Sequence, residues 1–254
     1  MGIRKKRAIG RILKAMSDPV NVRSFSNMAV CLKGWAETRM GRQTPSRVVR
    51  LDLRRLALVV DAARAELLSY MEIWHERCYD AVALDASRCV VDVGANIGAF
   101  SLYQAMIKHA ELVIAFEPSP DVFRRLAKNV EINGLNNVRI VNAAVGEKAG
   151  VLSFSEDRMS VNCRVSESGA LKVPCVTLDS ELSNIPGIDL LKIDTEGYET
   201  HVLQGASETL KKTRRIALEL HYPGEALEIE SILLPLGFSL WKRRGGLDFY
   251  SRGD

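Results

Sequence analysis

The sequence has no run of about 18 apolar residues, which excludes a helix built to cross a membrane. Its basic start, Met1 to Met16, lacks the apolar core and small-residue cleavage site of a secretory signal, so cytoplasmic residence is expected. The five cysteines, Cys31, Cys78, Cys89, Cys163 and Cys175, are odd in number, widely spaced and without a Cys-x-x-Cys pair. That pattern excludes a disulfide framework and reads as reduced packing residues, with Cys89 inside a strand. The four histidines, His75, His109, His201 and His221, are scattered with no close His/Asp/Glu cluster, so no metal site is expected. The Gly-x-Gly-x-x-Gly fingerprint of dinucleotide binding is also missing.

What is present is an apolar run that breaks into small residues, Val90-Val91-Asp92-Val93-Gly94-Ala95-Asn96-Ile97-Gly98-Ala99-Phe100-Ser101. It reads as a buried parallel strand, a tight glycine turn and the first turn of a helix. In a doubly wound sheet that junction lies at the carboxyl end of a strand, where ligands bind. Because the spacing is Asp-x-Gly-x-x-x-Gly, a nucleoside-type cofactor such as S-adenosylmethionine is favoured over NAD. Leu112 to Phe116 form a second apolar strand ending in Glu117-Pro118, 19 residues after Gly98. An acidic residue there is placed to accept hydrogen bonds from both ribose hydroxyls, while Pro118 removes a competing donor and stops the strand. The alternative reading makes Glu117 a cap for the helix that begins at Pro120-Asp121.

The net charge of +4 hides an asymmetry: residues 1–66 carry a net +10 and the remainder a net −6. A basic segment of this kind can meet nucleic acid, acidic headgroups or an acidic substrate, or form a solvated helical face. No aromatic interleaving accompanies it, which weakens a nucleic-acid reading. Residues 48–79 place Leu56, Val59, Val60, Ala63, Leu67, Leu68, Met71 and Trp74 at helical spacing, predicting one or two packing helices. Residues 1–71 are therefore expected to form a basic, largely helical N-terminal extension, and 72–254 the main domain.

From Cys89 onward strands and helices alternate. Strands are predicted at Cys89 to Val93, Leu112 to Glu117, Val138 to Ala143, Leu190 to Asp194 and Ile216 to Leu220. Helices are predicted between them at Phe100 to Ala110, Pro120 to Asn133 and through Val202, Leu203 and Leu210. Helix Glu225 to Leu236 follows, then strands Phe238 to Trp241 and Leu247 to Ser251, joined closely enough to be antiparallel. The expected fold is α/β: a Rossmann-like, doubly wound, mainly parallel seven-stranded sheet with a terminal antiparallel strand. Residues 150–178 interrupt the rhythm with two short edge strands flanking a polar loop that carries Met159, Asn162 and Arg164, the pattern of a lid or binding loop.

This layout resembles a class I, S-adenosylmethionine-dependent methyltransferase, and more narrowly the FkbM-type family. The motifs occur in that family's order: Val91 to Gly98, then Phe116-Glu117-Pro118, then Thr177-Leu178-Asp179, then Leu191-Lys192-Ile193-Asp194-Thr195-Glu196-Gly197-Tyr198-Glu199. Glu219-Leu220-His221 adds a weaker match. The resemblance covers roughly residues 72–250 and implies O-methylation of a hydroxyl on a small molecule or glycan. A nucleic-acid-modifying methyltransferase using the basic segment and a noncatalytic Rossmann-like scaffold are the alternatives. The Asp/Asn-Pro-Pro-aromatic run of amino-group methylation is missing, which demotes base methylation.

Methyl transfer from a sulfonium to a hydroxyl needs an aligned acceptor and a placed base at the carboxyl ends of the central strands. Asp194 and Glu196 have that location, and Lys192 shares the strand face of Asp194. Asp194 is expected to orient the acceptor or the cofactor's amino group, and Glu196 or His221 to take the proton, the histidine needing least perturbation. Glu196 and Glu199 have an alternative use as carboxylates at a helix start, and Glu219 as a buried strand-end carboxylate. The expected cofactor set is Asp92, Gly94, Asn96, Gly98, Glu117, Pro118, Asn142, Ala143, Ala144 and Asp194. Asn96 would donate to the cofactor carboxylate, and adenine would lie against Ala143 or Ala144. Asp194 with Glu196 could hold Mg²⁺ in a catechol-type mechanism, but metal dependence has little support because no close His/Asp/Glu cluster has ligand spacing.

Overall fold

The computed structural model describes residues 22–253, apart from 41, 43, 65, 83–84, 156–163 and 166–167. The basic run 4–7, Cys163, and Met159 and Asn162 of the polar loop lie outside the described residues.

Helix α1 (Val22–Arg39) opens the described chain, followed by β1 (Val48–Asp52) and β2 (Ala57–Asp61). These two strands pair antiparallel, Val49 opposite Val60 and Leu51 opposite Leu58. Here the structure corrects the helical expectation for residues 48–61. Leu56, Val59 and Val60 fit a helical spacing, but Val59-Val60 is β-branched and burial along β2 alternates. Helical structure begins afterwards, with a 3₁₀ turn at Ala62–Arg64, α2 (Leu67–Tyr70) and a π-helical turn at Met71–His75.

The main sheet contains β3 (Val90–Val93), β4 (Val113–Phe116), β5 (Val138–Val141), β10 (Ile188–Ile193), β11 (Thr213–Glu219), β12 (Phe238–Arg244) and β13 (Leu247–Arg252). Their order is β12-β13-β11-β10-β3-β4-β5. Pairing is parallel from β11 through β10, β3 and β4 to β5. The last strand in the chain, β13, is the antiparallel one and lies between β11 and β12. Gly245 and Gly246, both at positive φ, make the two-residue turn that joins β12 to β13.

The crossovers are α3 (Ala99–Met106), α4 (Pro120–Ile132), α6 (Glu199–Gln204), α7 (Ser207–Lys211) and α8 (Glu225–Leu233), with a short α5 (Leu178–Glu181) before β10. Separate strands β6 (Ala144–Val145), β7 (Gly150–Ser155), β8 (Arg164–Val165) and β9 (Leu171–Val176) form a four-stranded sheet over the interruption read in the sequence. The single predicted helix through Val202 and Leu210 is broken at Gly205, where a Cβ would stand 2.0 Å from the Gly146 carbonyl oxygen.

Because β side chains alternate between faces, the two faces of the sheet build two cores. Val90, Val113, Ala115, Leu190 and Ala217 pack with α3, α4 and the N-terminal elements, including Met28, Leu51 and Leu58. Val91, Val93, Ile114, Leu191, Ile193 and Leu218 pack on the opposite side with Val202, Leu203, Leu210 and Ile229. The outer edge of β2 is closed by two asparagines one turn apart on or just past α4. Asn129 accepts from the Val59 N–H at 2.6 Å and donates to its carbonyl at 3.1 Å. Asn133 does the same for Ala57, at 2.9 and 2.7 Å. The side-chain amides thus stand in for a third strand.

Candidate active site

Beyond β3 the chain turns through Gly94, Asn96 and Gly98, at φ of +78°, +52° and +87°. The N–H groups of Gly94 and Ala95 both donate to the Phe116 carbonyl, at 3.1 and 2.9 Å, tying the turn to the end of β4. A Cβ on Gly94 would stand 1.8 Å from the Asp194 carbonyl oxygen, and one on Gly98 would stand 2.5 Å from Leu126 Cδ1. The close approach that these glycines permit is therefore made by the protein itself: two strand ends and a crossover helix converge on the turn.

Asn96, a residue type that tolerates the left-handed region, presents its N–H to Glu117 Oε2 at 2.9 Å. Its side-chain oxygen accepts from the Ile97 N–H at 2.8 Å. Glu117 is 6% exposed and takes a second backbone donor, the Ser119 N–H, on Oε1 at 2.9 Å. Burial pushes this carboxyl up to about 7, against the lowering effect of those two N–H groups and of Lys192. An ionised carboxylate offers about four lone-pair sites. Two backbone donors leave capacity for a pair of hydroxyls. Asn142 donates to the carbonyls of Glu117 and Pro118, at 2.8 and 3.2 Å, and so fixes the Glu-Pro bend. Ala143 and Ala144 are buried. This donor and acceptor set fits the adenosine end of S-adenosylmethionine.

A charged chain crosses the carboxyl edge of the sheet beside that turn. Asp92, fully buried in β3, accepts from Ser101 Oγ at 2.6 Å and stands 3.1 Å from Lys192 Nζ. Lys192 also donates to the Gly94 carbonyl at 2.9 Å and lies 3.4 Å from Asp194 Oδ2. Burial opposes its charge, but Asp92 and Asp194 outweigh burial and hold the ammonium well above the ordinary lysine range. The expected catalytic part for Lys192 is thereby corrected. It stays charged and positions Asp92, the turn and Asp194.

His221, just past β11, is brought to the same place from a distant part of the chain. Its Nε2 is 3.3 Å from Glu196 Oε2 and 3.8 Å from Asp194 Oδ1, and its Nδ1 is 3.4 Å from Glu199 Oε1. Burial would lower its pKa, but Glu196, Glu199 and Asp194 overcome burial and push it up to about 11. The sequence reading of His221 as a base near its ordinary pKa is therefore corrected: with these carboxylates around it the imidazole is a cation at neutral pH. The expectation that no His/Asp/Glu cluster exists fails for the same reason, because the sheet gathers what the sequence scatters.

Glu196 sits at φ +56°, a conformation uncommon for a residue with a side chain. Fully buried Glu199 holds that loop: its Oε1 accepts from the Thr195 N–H, Thr195 Oγ1 and the Gly197 N–H at 2.8, 3.0 and 3.2 Å. Against the raising effect of burial, His221, Glu225 and the backbone bring Glu199 down to about 2. Glu199 thus lies in the first turn of α6 but caps none of its N–H groups; its carboxylate ties the loop before the helix. Glu219, at the end of β11, is pushed up to about 8, first by Asp194 and then by burial. The charge of Glu72 acts in the same direction. Sequence reasoning missed Glu72 on the π-helical turn and Tyr79, whose buried ring meets Phe100 edge to face at 5.0 Å. No sequence motif marks either residue.

A parallel sheet with a glycine turn after its central strand, and a buried acid on the tip of the next strand, defines a Rossmann-like enzyme for a nucleoside cofactor. Residues 92–240 match the family model described as Methyltransferase FkbM domain. The chain belongs to the FkbM methyltransferase family, and its cofactor is S-adenosylmethionine. It is 30% identical over 221 residues to the 31-O-demethyl-FK506 methyltransferase FkbM of Streptomyces tacrolimicus, a match spanning 71% of this chain and 84% of that one. It is 27% identical over 185 residues to the hexuronic acid methyltransferase AglP of Haloferax volcanii, spanning 68% and 76%. A solved methyltransferase FkbM from Methylobacillus flagellatus superposes with a TM-score of 0.51 at 16% identity, covering 96% of this chain and 59% of that one, and shows the shared fold. Among the described residues no helix is long and apolar enough to cross a membrane.

Proposed function

We propose that the chain methylates a hydroxyl oxygen of a small molecule or saccharide. The observation that carries this reading is the placement of Asp194. Its carboxylate stands at the carboxyl end of β10, partly open to solvent, with Oδ2 turned to Lys192 and Oδ1 to His221. Support also comes from the hexuronic acid and FK506 methyltransferases among the relatives.

Bound S-adenosylmethionine supplies a methyl group on a cationic sulfur, which keeps the bonding pair as the acceptor oxygen takes the methyl. Glu117 would hold the ribose hydroxyls with the lone pairs that the Asn96 and Ser119 N–H groups leave. Lys192 fixes Asp194 against the turn through Gly94, so the acceptor side and the cofactor side share one rigid support. Such positioning is worth up to about 7–11 kcal/mol where the reacting atoms are well aligned. With His221 held charged, Asp194 and Glu196 are the groups that take the hydroxyl proton, a contribution of about 10²–10⁴-fold. The buried unpaired thiols of Cys31, Cys89 and Cys175 accord with a reducing compartment, and we place the activity in the cytoplasm.

The test is transfer of labelled methyl to a panel of polyols and hexuronosides, alongside calorimetric titration with S-adenosylhomocysteine. Wild type is expected to label a hydroxyl-bearing acceptor, and Asp194→Asn to bind the product cofactor but lose turnover by roughly 10²-fold or more. Undiminished turnover in Asp194→Asn would remove this residue from the chemistry.

A further inference from the structure

We propose that Glu225 is a positioning residue that works as a neutral acid: it donates its proton to Glu199 and so locks the loop carrying Asp194 and Glu196 to the chain carrying His221. The pair itself stands on geometry, and its role in catalysis rests on the methyltransferase reading.

Each acid holds one of the two segments. Glu199 Oε1 accepts from the Thr195 and Gly197 N–H groups at 2.8 and 3.2 Å, which fixes the loop between β10 and α6. Glu225 Oε2 accepts from the His221 and Tyr222 N–H groups at 2.8 and 3.3 Å, which fixes the chain past β11. Helix α6 packs on α8, and that packing brings the two carboxyl groups together.

An orphaned atom marks the contact. Glu199 is 0% exposed, and its Oε2 meets no N–H or hydroxyl donor among the described residues. A buried carboxylate oxygen left in that state is costly. What lies against Glu199 is the Glu225 carboxyl, 8% exposed and hydrogen-bonded to it side chain to side chain. Two carboxylates have no hydrogen to share, so the bond requires one proton.

The surrounding charges decide which acid carries it. His221, a cation, stands 3.4 Å from Glu199 Oε1, where three donors already converge, so Glu199 is the ionised member. Glu196 meets the same imidazole from its other nitrogen. The other acids of α8 turn elsewhere: Glu228 meets Thr200 Oγ1 at 3.4 Å, and Glu230 meets Arg243 of β12 at 3.8 Å. Glu225 keeps Oε2 as a carbonyl-type acceptor for the two N–H groups and carries its hydroxyl on Oε1. Burial and the charge of Glu199 push this acid up to about 7, the behaviour of two carboxyls that share a site. Its contribution to stability is therefore full in acid and is lost as the pH rises through about 7, when like charges face each other across the lock.

The experiment compares the full chain with Glu225→Gln, whose amide donates to Glu199 and accepts from His221 without a titrating proton, and with Glu225→Ala. In denaturant unfolding from pH 5 to 8, wild type is expected to lose stability relative to Glu225→Gln by up to about tenfold in the unfolding equilibrium per pH unit, levelling off above about 7. Carboxyl-carbon NMR of glutamate-labelled protein is expected to show a resonance titrating near 7 that disappears in Glu225→Gln. Amide exchange at His221 and Tyr222 is expected to accelerate roughly tenfold or more in Glu225→Ala and to return towards the wild-type rate in Glu225→Gln. Parallel pH profiles in wild type and Glu225→Gln, with no resonance lost, overturn the shared proton. Equal exchange at His221 in all three proteins overturns the positioning role. Titration of the same samples with S-adenosylhomocysteine keeps the two readings apart: a shared proton in a chain that binds no cofactor supports the pair and overturns its part in catalysis.

Discussion

At the scale of single residues, the site is a set of groups whose neighbours decide their state. Glu117 and Lys192 were legible from motif spacing, but only the fold reveals that one is raised to about 7 by burial and the other held charged by Asp92 and Asp194. The sign of the first effect follows directly. Ribose hydroxyls donate to the ionised carboxylate, so cofactor affinity is full above about 7 and falls as the pH drops below it, by up to about tenfold per unit. Titration with S-adenosylhomocysteine from pH 5.5 to 8 checks this, and a flat profile in wild type would separate Glu117 from the ribose.

Replacing Lys192 by Met leaves Asp92, 0% exposed, without its cation. Loss of about 3–5 kcal/mol of stability is expected in denaturant unfolding, the cost of stranding a buried charge. Gly94→Ala meets the Asp194 carbonyl in a left-handed conformation, so a loss of about 2 kcal/mol or more is expected together with loss of cofactor binding. No motif predicts the residue that Gly94 makes room for.

At the scale of elements, the parallel strands of the main sheet were readable, and continuous apolar runs such as Val90-Val91 and Leu190-Leu191 mark those buried on both faces. The hairpin of β1 and β2 was not, since its apolar residues satisfy a helical spacing as well as an alternating one. What settles the choice is tertiary: Asn129 and Asn133 complete the hydrogen bonding of β2 from α4, some 70 residues away in sequence. Asn129→Ala leaves the Val59 N–H and carbonyl and the Ile97 carbonyl without these partners. Destabilisation of about 2–3 kcal/mol is expected, with amide hydrogen exchange at Val59 accelerated beyond the rest of the sheet. Unchanged exchange at Val59 would mean that water replaces the amide without cost.

At the scale of the whole molecule, the N-terminal elements and the sheet share one apolar core: Met28, Leu51 and Leu58 pack in the cluster that holds Val90, Val113 and Leu190. A chain beginning after residue 61 is therefore expected to lose its cooperative thermal transition. A truncated protein that still unfolds cooperatively and binds S-adenosylhomocysteine would show that the sheet carries its own core. The sequence by itself determined the class of fold and the cofactor, because burial on both faces, glycine at a strand end and a carboxylate at a fixed distance are local requirements. Only the tertiary structure decided the site's chemistry. Asp92, Lys192 and Asp194 meet because parallel β3 and β10 lie in register, and His221 joins Asp194 and Glu196 because β11 lies beside β10. Proximity across a sheet then sets the charge state of each group, and no residue type or spacing along the chain contains that proximity.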